Sequence, residues 1–163
     1  MSKLFTILTL LPFLTIPACN APQPPKPTIE GGLQLSLWSK KTGNQYIYYK
    51  LSPSGQLEFA GGRMAMFRNT KPLTTIKPQH FQQIRTIINN NQLMKAPSAG
   101  IFETGDQNIY EVDLKLDAKS HRFKVLGDTN KGVIQLQKYL DDIRKTHSDS
   151  TLLKSIDRQL KDK

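Results

Sequence analysis

The stretch Ile47-Tyr48-Tyr49-Lys50-Leu51-Ser52-Pro53-Ser54-Gly55-Gln56-Leu57-Glu58-Phe59-Ala60-Gly61-Gly62 sets two alternating apolar runs around a turn. Side chains of an extended chain point to opposite faces in turn, so Ile47, Tyr49 and Leu51 share one face, as do Leu57 and Phe59. Pro53 suits the second position of a type I turn and Gly55 the left-handed bulge residue after it. That geometry sets Leu51 opposite Leu57 and Tyr49 opposite Phe59, keeping the apolar faces together.

Working outward, Leu33, Leu35 and Leu37 alternate with Gln34, Ser36 and Trp38 ahead of the turn-forming Lys40-Lys41-Thr42-Gly43-Asn44, which adds a preceding strand. On the other side, a two-residue loop at Gly61-Gly62 pairs Phe59 with Met64 and Leu57 with Met66, completing a four-stranded antiparallel meander. Pro78 suits a first helical turn, and Phe81, Ile84, Ile87 and Ile88 follow at helical spacing up to Asn89-Asn90-Asn91, so this helix packs on the apolar face of the sheet. A second hairpin follows, with Tyr110, Val112, Leu114 and Leu116 on one arm and His121, Phe123 and Val125 on the other. A turn centred on Ala118-Lys119 sets Leu116 opposite His121, Leu114 opposite Phe123 and Val112 opposite Val125, with Asp113 beside Lys124 on the outward face.

Val133, Leu136, Tyr139, Leu140 and Ile143 give a second amphipathic helix, capped by Thr129 or Asn130. Leu152, Leu153, Ile156 and Leu160 form the narrow stripe of a short, separate C-terminal helix that needs a surface to lie on. The fold class is α+β: a meander and a hairpin packed with two amphipathic helices and a short terminal one. The expected organisation is an export signal over 1–18, a linker over 19–30, one domain over 31–146 and a tail over 147–163.

The first nineteen residues comprise a basic start with Lys3, an uncharged apolar run from Leu4 to Ile16, and a small-residue end at Ala18-Cys19, the layout of an export signal. As a helix the apolar run reaches about 20 Å, short of the roughly 30 Å hydrocarbon core. Ile16-Pro17-Ala18-Cys19 resembles the lipobox of bacterial lipoproteins. The resemblance implies removal of the preceding segment and lipidation of Cys19, with further acylation of the new amino-terminus. Cleavage by an ordinary signal peptidase after Ala21 is the rival, and Pro22 stands against it. Cys19 is the only cysteine in the chain, so no internal disulfide can form. More than one acyl chain gives lasting membrane attachment. The prolines of Asn20-Ala21-Pro22-Gln23-Pro24-Pro25-Lys26-Pro27 favour an extended spacer that holds the domain roughly 30 Å off the bilayer. By the same resemblance, Asn20 rather than aspartate after the cysteine points to the outer membrane, facing the periplasm.

The 163-residue chain carries 23 Lys and Arg against 13 Asp and Glu, a formal charge of +10. The cations are scattered, and the longest basic runs are pairs such as Lys40-Lys41 and Arg144-Lys145, whereas a nucleic-acid site clusters them. The charge is read as general attraction to anionic lipid, glycan or protein surfaces, or simply as a soluble basic surface.

Chemistry-bearing motifs are sparse. His80, His121 and His147 lie far apart, without the ligand spacing of a zinc site, and no cofactor motif is found. No G-x-S-x-G elbow occurs, and His121 falls in the core-facing phase, where a hydrogen-bonded structural role is expected. Glu111 and Asp113, and likewise Asp141 and Asp142, occupy exposed faces without a predicted cleft. Asp128-Thr129-Asn130-Lys131-Gly132 begins like a calcium loop, but Tyr139 stands where the closing acid belongs. A helix entry accounts for it.

The candidate binding surface is aromatic: Trp38 and Tyr46 fall on the face opposite the core, with Tyr48 across from Ser36. Either this face is an open platform for a protein or glycan, or the terminal helix covers it. Beyond the lipobox, Leu51-x-x-x-Gly55-x-Leu57-x-x-x-Gly61 and the helix after Lys77-Pro78 loosely resemble small domains of unassigned role that recur in bacterial envelope lipoproteins. The resemblance carries no activity. Two functions are compatible with the sequence: a membrane-anchored, non-enzymatic module that binds an envelope protein or peptidoglycan, and a small envelope hydrolase.

Overall fold

In the computed structural model, which describes residues 32–100 and 107–161 and their side chains as far as Ser148, the alternating runs pair as strands. The signal, Cys19 and the spacer lie outside the described residues. Strands β1 (Leu33–Lys41), β2 (Gln45–Leu51) and β3 (Gln56–Gly61) form the expected meander. Leu51 pairs with Leu57 and Tyr49 with Phe59, and Gly55 at φ 85° takes the left-handed position of the turn.

The chain then departs from the expected meander. Gly62, at φ 57°, does not close a hairpin; it starts the short helix α1 (Gly62–Met66). Phe59 and Leu57 therefore do not face Met64 and Met66. The fourth strand is β4 (Lys71–Thr75), where Phe59 meets Lys71 and Leu57 meets Thr74 across a bulge. Pro72 sits in this edge strand, where a missing N–H costs no ladder bond on the solvent side.

The second hairpin, β5 (Ile109–Leu116) and β6 (Lys119–Leu126), joins β1 edge to edge, giving one six-stranded antiparallel sheet in the order β4-β3-β2-β1-β5-β6. Its register is two residues from the expected one. Leu116 pairs with Lys119, Leu114 with His121, Val112 with Phe123 and Tyr110 with Val125. The turn is centred on Asp117-Ala118, and Asp117 takes φ 55°, a conformation that Asp tolerates better than most residues. The outward partner of Asp113 is accordingly Arg122, not Lys124. A slip of two preserves the faces, so the core assignments stand.

Helix α2 (Pro78–Asn90) buries Phe81, Ile84, Ile87 and Ile88 and is followed by a 3-10 turn over Leu93–Lys95. Helix α3 runs without interruption over Lys131–Lys161, passing the point at residue 146 where the domain was expected to end. The separate terminal helix expected near Ser150–Leu160 is thus the far end of α3. Asn130 caps α3 at its start, its Oδ1 accepting the Val133 N–H at 3.1 Å. Both long helices cover the same side of the sheet, where Leu35, Leu37, Leu51, Leu57, Val112 and Leu114 meet Phe81, Ile84, Ile88, Val133, Leu136 and Leu140 in one core. Each such side chain contributes about 1.5–3 kcal/mol on full burial.

Two polar clusters fasten the sheet to α3 or to its approach. Tyr49 donates its hydroxyl to Asp141 Oδ1 at 2.5 Å and accepts from Arg144 Nε at 3.1 Å. Burial, then the hydrogen bond and charge of Asp141, push the Tyr49 hydroxyl well above its ordinary range, so it stays a neutral donor. Replacing Tyr49 by Phe leaves Asp141 with Arg144, 3.6 Å away, but without its shortest bond. A loss of about 1–2 kcal/mol in urea denaturation is expected; an unchanged midpoint would show that the bond carries no net stability.

At the other cluster, Asn108 and Tyr110 both donate to Asp128 Oδ1, at 2.9 and 2.7 Å. These bonds, that of Asn108 first, hold the Asp128 carboxyl below the usual carboxylate range, against a smaller opposing effect of burial. A depressed carboxylate stabilises the fold above the ordinary Asp value of about 4, and the contribution is lost as pH falls through the folded-state value. The Asp128→Asn variant should therefore lose less stability than the parent between neutral pH and pH values below about 4. Parallel pH–stability curves would remove this role for Asp128.

Candidate functional site: the outer face of the sheet

The side of the sheet away from α2 and α3 carries the even-numbered residues of β1 and β2 and the odd-numbered residues of β5. Here Trp38 pairs across the strands with Tyr48 and with Glu111, and Tyr46 pairs with Lys40. Tyr48 therefore lies opposite Trp38, two residues from its expected place opposite Ser36, whose partner is Lys50. The structure brings the three aromatic residues together: the Trp38 and Tyr46 rings are 5.8 Å apart at 44°. All three are half-buried.

What covers this cluster is α1, and not the terminal helix. The Trp38 Nε1 donates to the Ala65 carbonyl at 2.9 Å, and Ala65 is fully buried. α3 packs on the opposite side of the sheet. At the end of α1 the Arg68 N–H returns to Ala65 O and the Asn69 N–H to Met64 O, a closure that puts Arg68 at φ 55°. That position favours glycine, and a non-glycine residue there costs about 1–2 kcal/mol. Arg68 offsets the cost with long-range contacts. Its guanidinium lies 5.7 Å from the Trp38 ring centre and forms an ion pair with Glu111.

Beside this corner a groove of about 310 Å³ runs over the sheet, lined by Trp38, Tyr48, Lys50, Arg68, Lys115 and Arg122 among others. Its carboxylates are already matched: Glu111 by Arg68, and Asp113 by Arg122, whose Nε donates at 3.0 Å. The bond to Asp113 raises the pKa of Arg122 further. The floor is thus a set of ion pairs rimmed by cations. Sequence reasoning found the aromatic part of this site and missed Arg68, Lys115 and Arg122. The outward phase of Arg122 and Lys115 was readable from alternation; the placement of Arg68 was not, because it depends on α1.

The histidines serve elsewhere. His121 is half-buried, its Nε2 is 2.8 Å from the Ala96 carbonyl, and it stacks on Phe123 with centroids 5.2 Å apart. His80 and His147 line a hollow of about 320 Å³ with Tyr139, Asp142 and Thr146. The residue types for acid–base chemistry meet there, and two of them are bonded to each other. Thr146 donates to the Asp142 backbone carbonyl at 2.9 Å, and the Tyr139 hydroxyl is 2.8 Å from His80 Nδ1. Burial raises the pKa of Tyr139, making it harder to ionise as a nucleophile. Among the described residues no group of three or more His, Cys, Asp or Glu is placed to hold a metal ion, and no helix is long and apolar enough to cross a membrane.

Comparison with protein-family models and with curated proteins returns no match.

Proposed function

We propose that the protein is an envelope lipoprotein, tethered through lipid on Cys19, whose outer sheet face binds an anionic protein segment or the carboxylate-bearing peptidoglycan of the cell wall. The observation that supports this reading is the groove itself. Lys50, Lys115 and Arg122 are exposed around it, while its acids are held in ion pairs and offer an incoming anion little repulsion.

The test is co-sedimentation with purified peptidoglycan sacculi, together with photo-crosslinking from a reactive residue at Ser36 in cells. In the Lys115→Glu/Arg122→Glu variant both signals should fall about tenfold or more at low salt and converge with the parent at high salt. Equal capture by parent and variant would overturn the assignment to this face. The alternative, a small envelope hydrolase, would draw on the hollow holding His80 and His147, where the hydroxyls are engaged as described.

A further inference from the structure

Three large apolar side chains are exposed among the described residues: Met64, Met66 and Phe67, at 41, 48 and 63 %. All belong to α1 or its C-cap. At about 100° per residue, Arg63 and Phe67 lie opposite Ala65, with Met64 and Met66 about 100° to either side of it, and Ala65 is the buried residue of this helix. The turn is inverted relative to an ordinary surface helix, because its smallest side chain is seated on the sheet and its largest apolar ones point outward. Its backbone is firmly pinned by the Trp38 and Arg68 donors on Ala65 O and by the Asn69 donor on Met64 O.

The surroundings are cationic. The Arg63 guanidinium lies 5.9 Å from the Phe67 ring centre, and exposed Lys71 borders, with Met64, Pro72 and Leu73, a shallow hollow of about 290 Å³. Of the cations on or flanking α1, Arg63 and Lys71 are exposed, while Arg68 is paired with Glu111. We propose that α1 docks on an anionic lipid bilayer, seating Met64, Met66 and Phe67 in the headgroup region with Arg63 and Lys71 at the lipid phosphates. Apolar side chains ringed by cations match the two attractions of such an interface, apolar burial and charge. What favours a bilayer over a protein is the shape: a protruding turn needs no complementary cleft in a bilayer, whereas in a protein it does. The inference goes beyond the groove and does not depend on an acyl anchor.

The test uses the full chain carrying Phe67→Trp, with its emission read as the difference from the parent, on vesicles of phosphatidylglycerol and phosphatidylcholine or of phosphatidylcholine alone. The expected result is a blue shift on the anionic vesicles, with quenching by brominated acyl chains, and little change on the neutral ones. Adding Arg63→Glu should raise the lipid concentration at half-maximal shift by about fivefold or more, and Met64→Ser/Met66→Ser should abolish the quenching. Any contribution of the amino-terminus is common to all variants. No shift, or an equal shift on neutral vesicles, overturns the proposal. So does a shift that grows with protein concentration in the absence of vesicles, which would mark α1 as a contact between copies of the chain.

Discussion

Gly132→Ala should lower stability by about 1–2 kcal/mol net, because overpacking costs about 1–3 kcal/mol and outweighs the roughly 1 kcal/mol by which alanine is the better helix former. Gly132 is the second residue of α3, where that helix crosses the end of α2. A Cβ there would lie 2.4 Å from Asn91 Cβ, 2.7 Å from Asn91 Cγ and 3.0 Å from Leu93 Cδ2. The nearest of these atoms is bonded to backbone and cannot swing away. Asn91 is also fixed as the C-cap of α2, and its Nδ2 donates to Ile87 O at 2.9 Å and to Gln135 Oε1 at 3.2 Å. The helices must therefore separate, loosening Leu93 and Val133, both fully buried. Urea denaturation measures the loss. Asn91→Gly removes the obstructing Cβ and should recover part of it, giving a coupling of about 1–2 kcal/mol, whereas Asn91→Ala keeps the Cβ and should not. A neutral Gly132→Ala would mean that the two helices do not approach this closely.

The second large effect concerns location. On the proposal that Cys19 carries lipid, Cys19→Ala should abolish fatty-acid labelling and move the protein from the membrane pellet to the soluble fraction after a high-salt wash. The wash matters because it screens the attraction between a basic protein and anionic headgroups, including that proposed for α1. Two or more acyl chains resist the wash, since each buried methylene adds about 0.8 kcal/mol. The intact mass should lack the acyl chains and include any of residues 1–18 that the blocked processing leaves in place. Unchanged mass and fractionation would exclude lipidation at this residue.

The elements most legible in the sequence are those whose determinants are local. The turn between β2 and β3 is specified by Pro53 and Gly55, and its register follows at once. The start of α2 is marked by Pro78, and Asn130 supplies the cap of α3. Centring the β5–β6 turn on Ala118-Lys119 puts it one residue late and slips the register by two. Asp117, a residue type that accepts positive φ, was the available signal. The Gly61-Gly62 pair misled for a different reason. A double glycine permits a hairpin and equally permits entry into a helical turn, and the choice was made by Ala65 fitting against the sheet under Trp38. The candidate site divides along the same line, with the Trp38, Tyr46 and Tyr48 cluster readable from alternation and its cover and cationic rim not.

The α+β class, the apolar faces of the strands, the β2–β3 register and the residues of both long helices that enter the core are legible in local pattern. These follow from periodicities of 2 and 3.6 and from turn chemistry, which act between near neighbours in the chain. Long-range packing sets the rest: the hairpin joins β1 to make one sheet, β4 and not the Met64–Met66 segment is the fourth strand, and α3 continues to Lys161. It also sets α1 over Trp38 with its methionines and Phe67 outward. Strand order and the seating of a five-residue turn depend on which distant surfaces fit together, and on partners such as Glu111 for Arg68, 43 residues away. No local pattern encodes that fit.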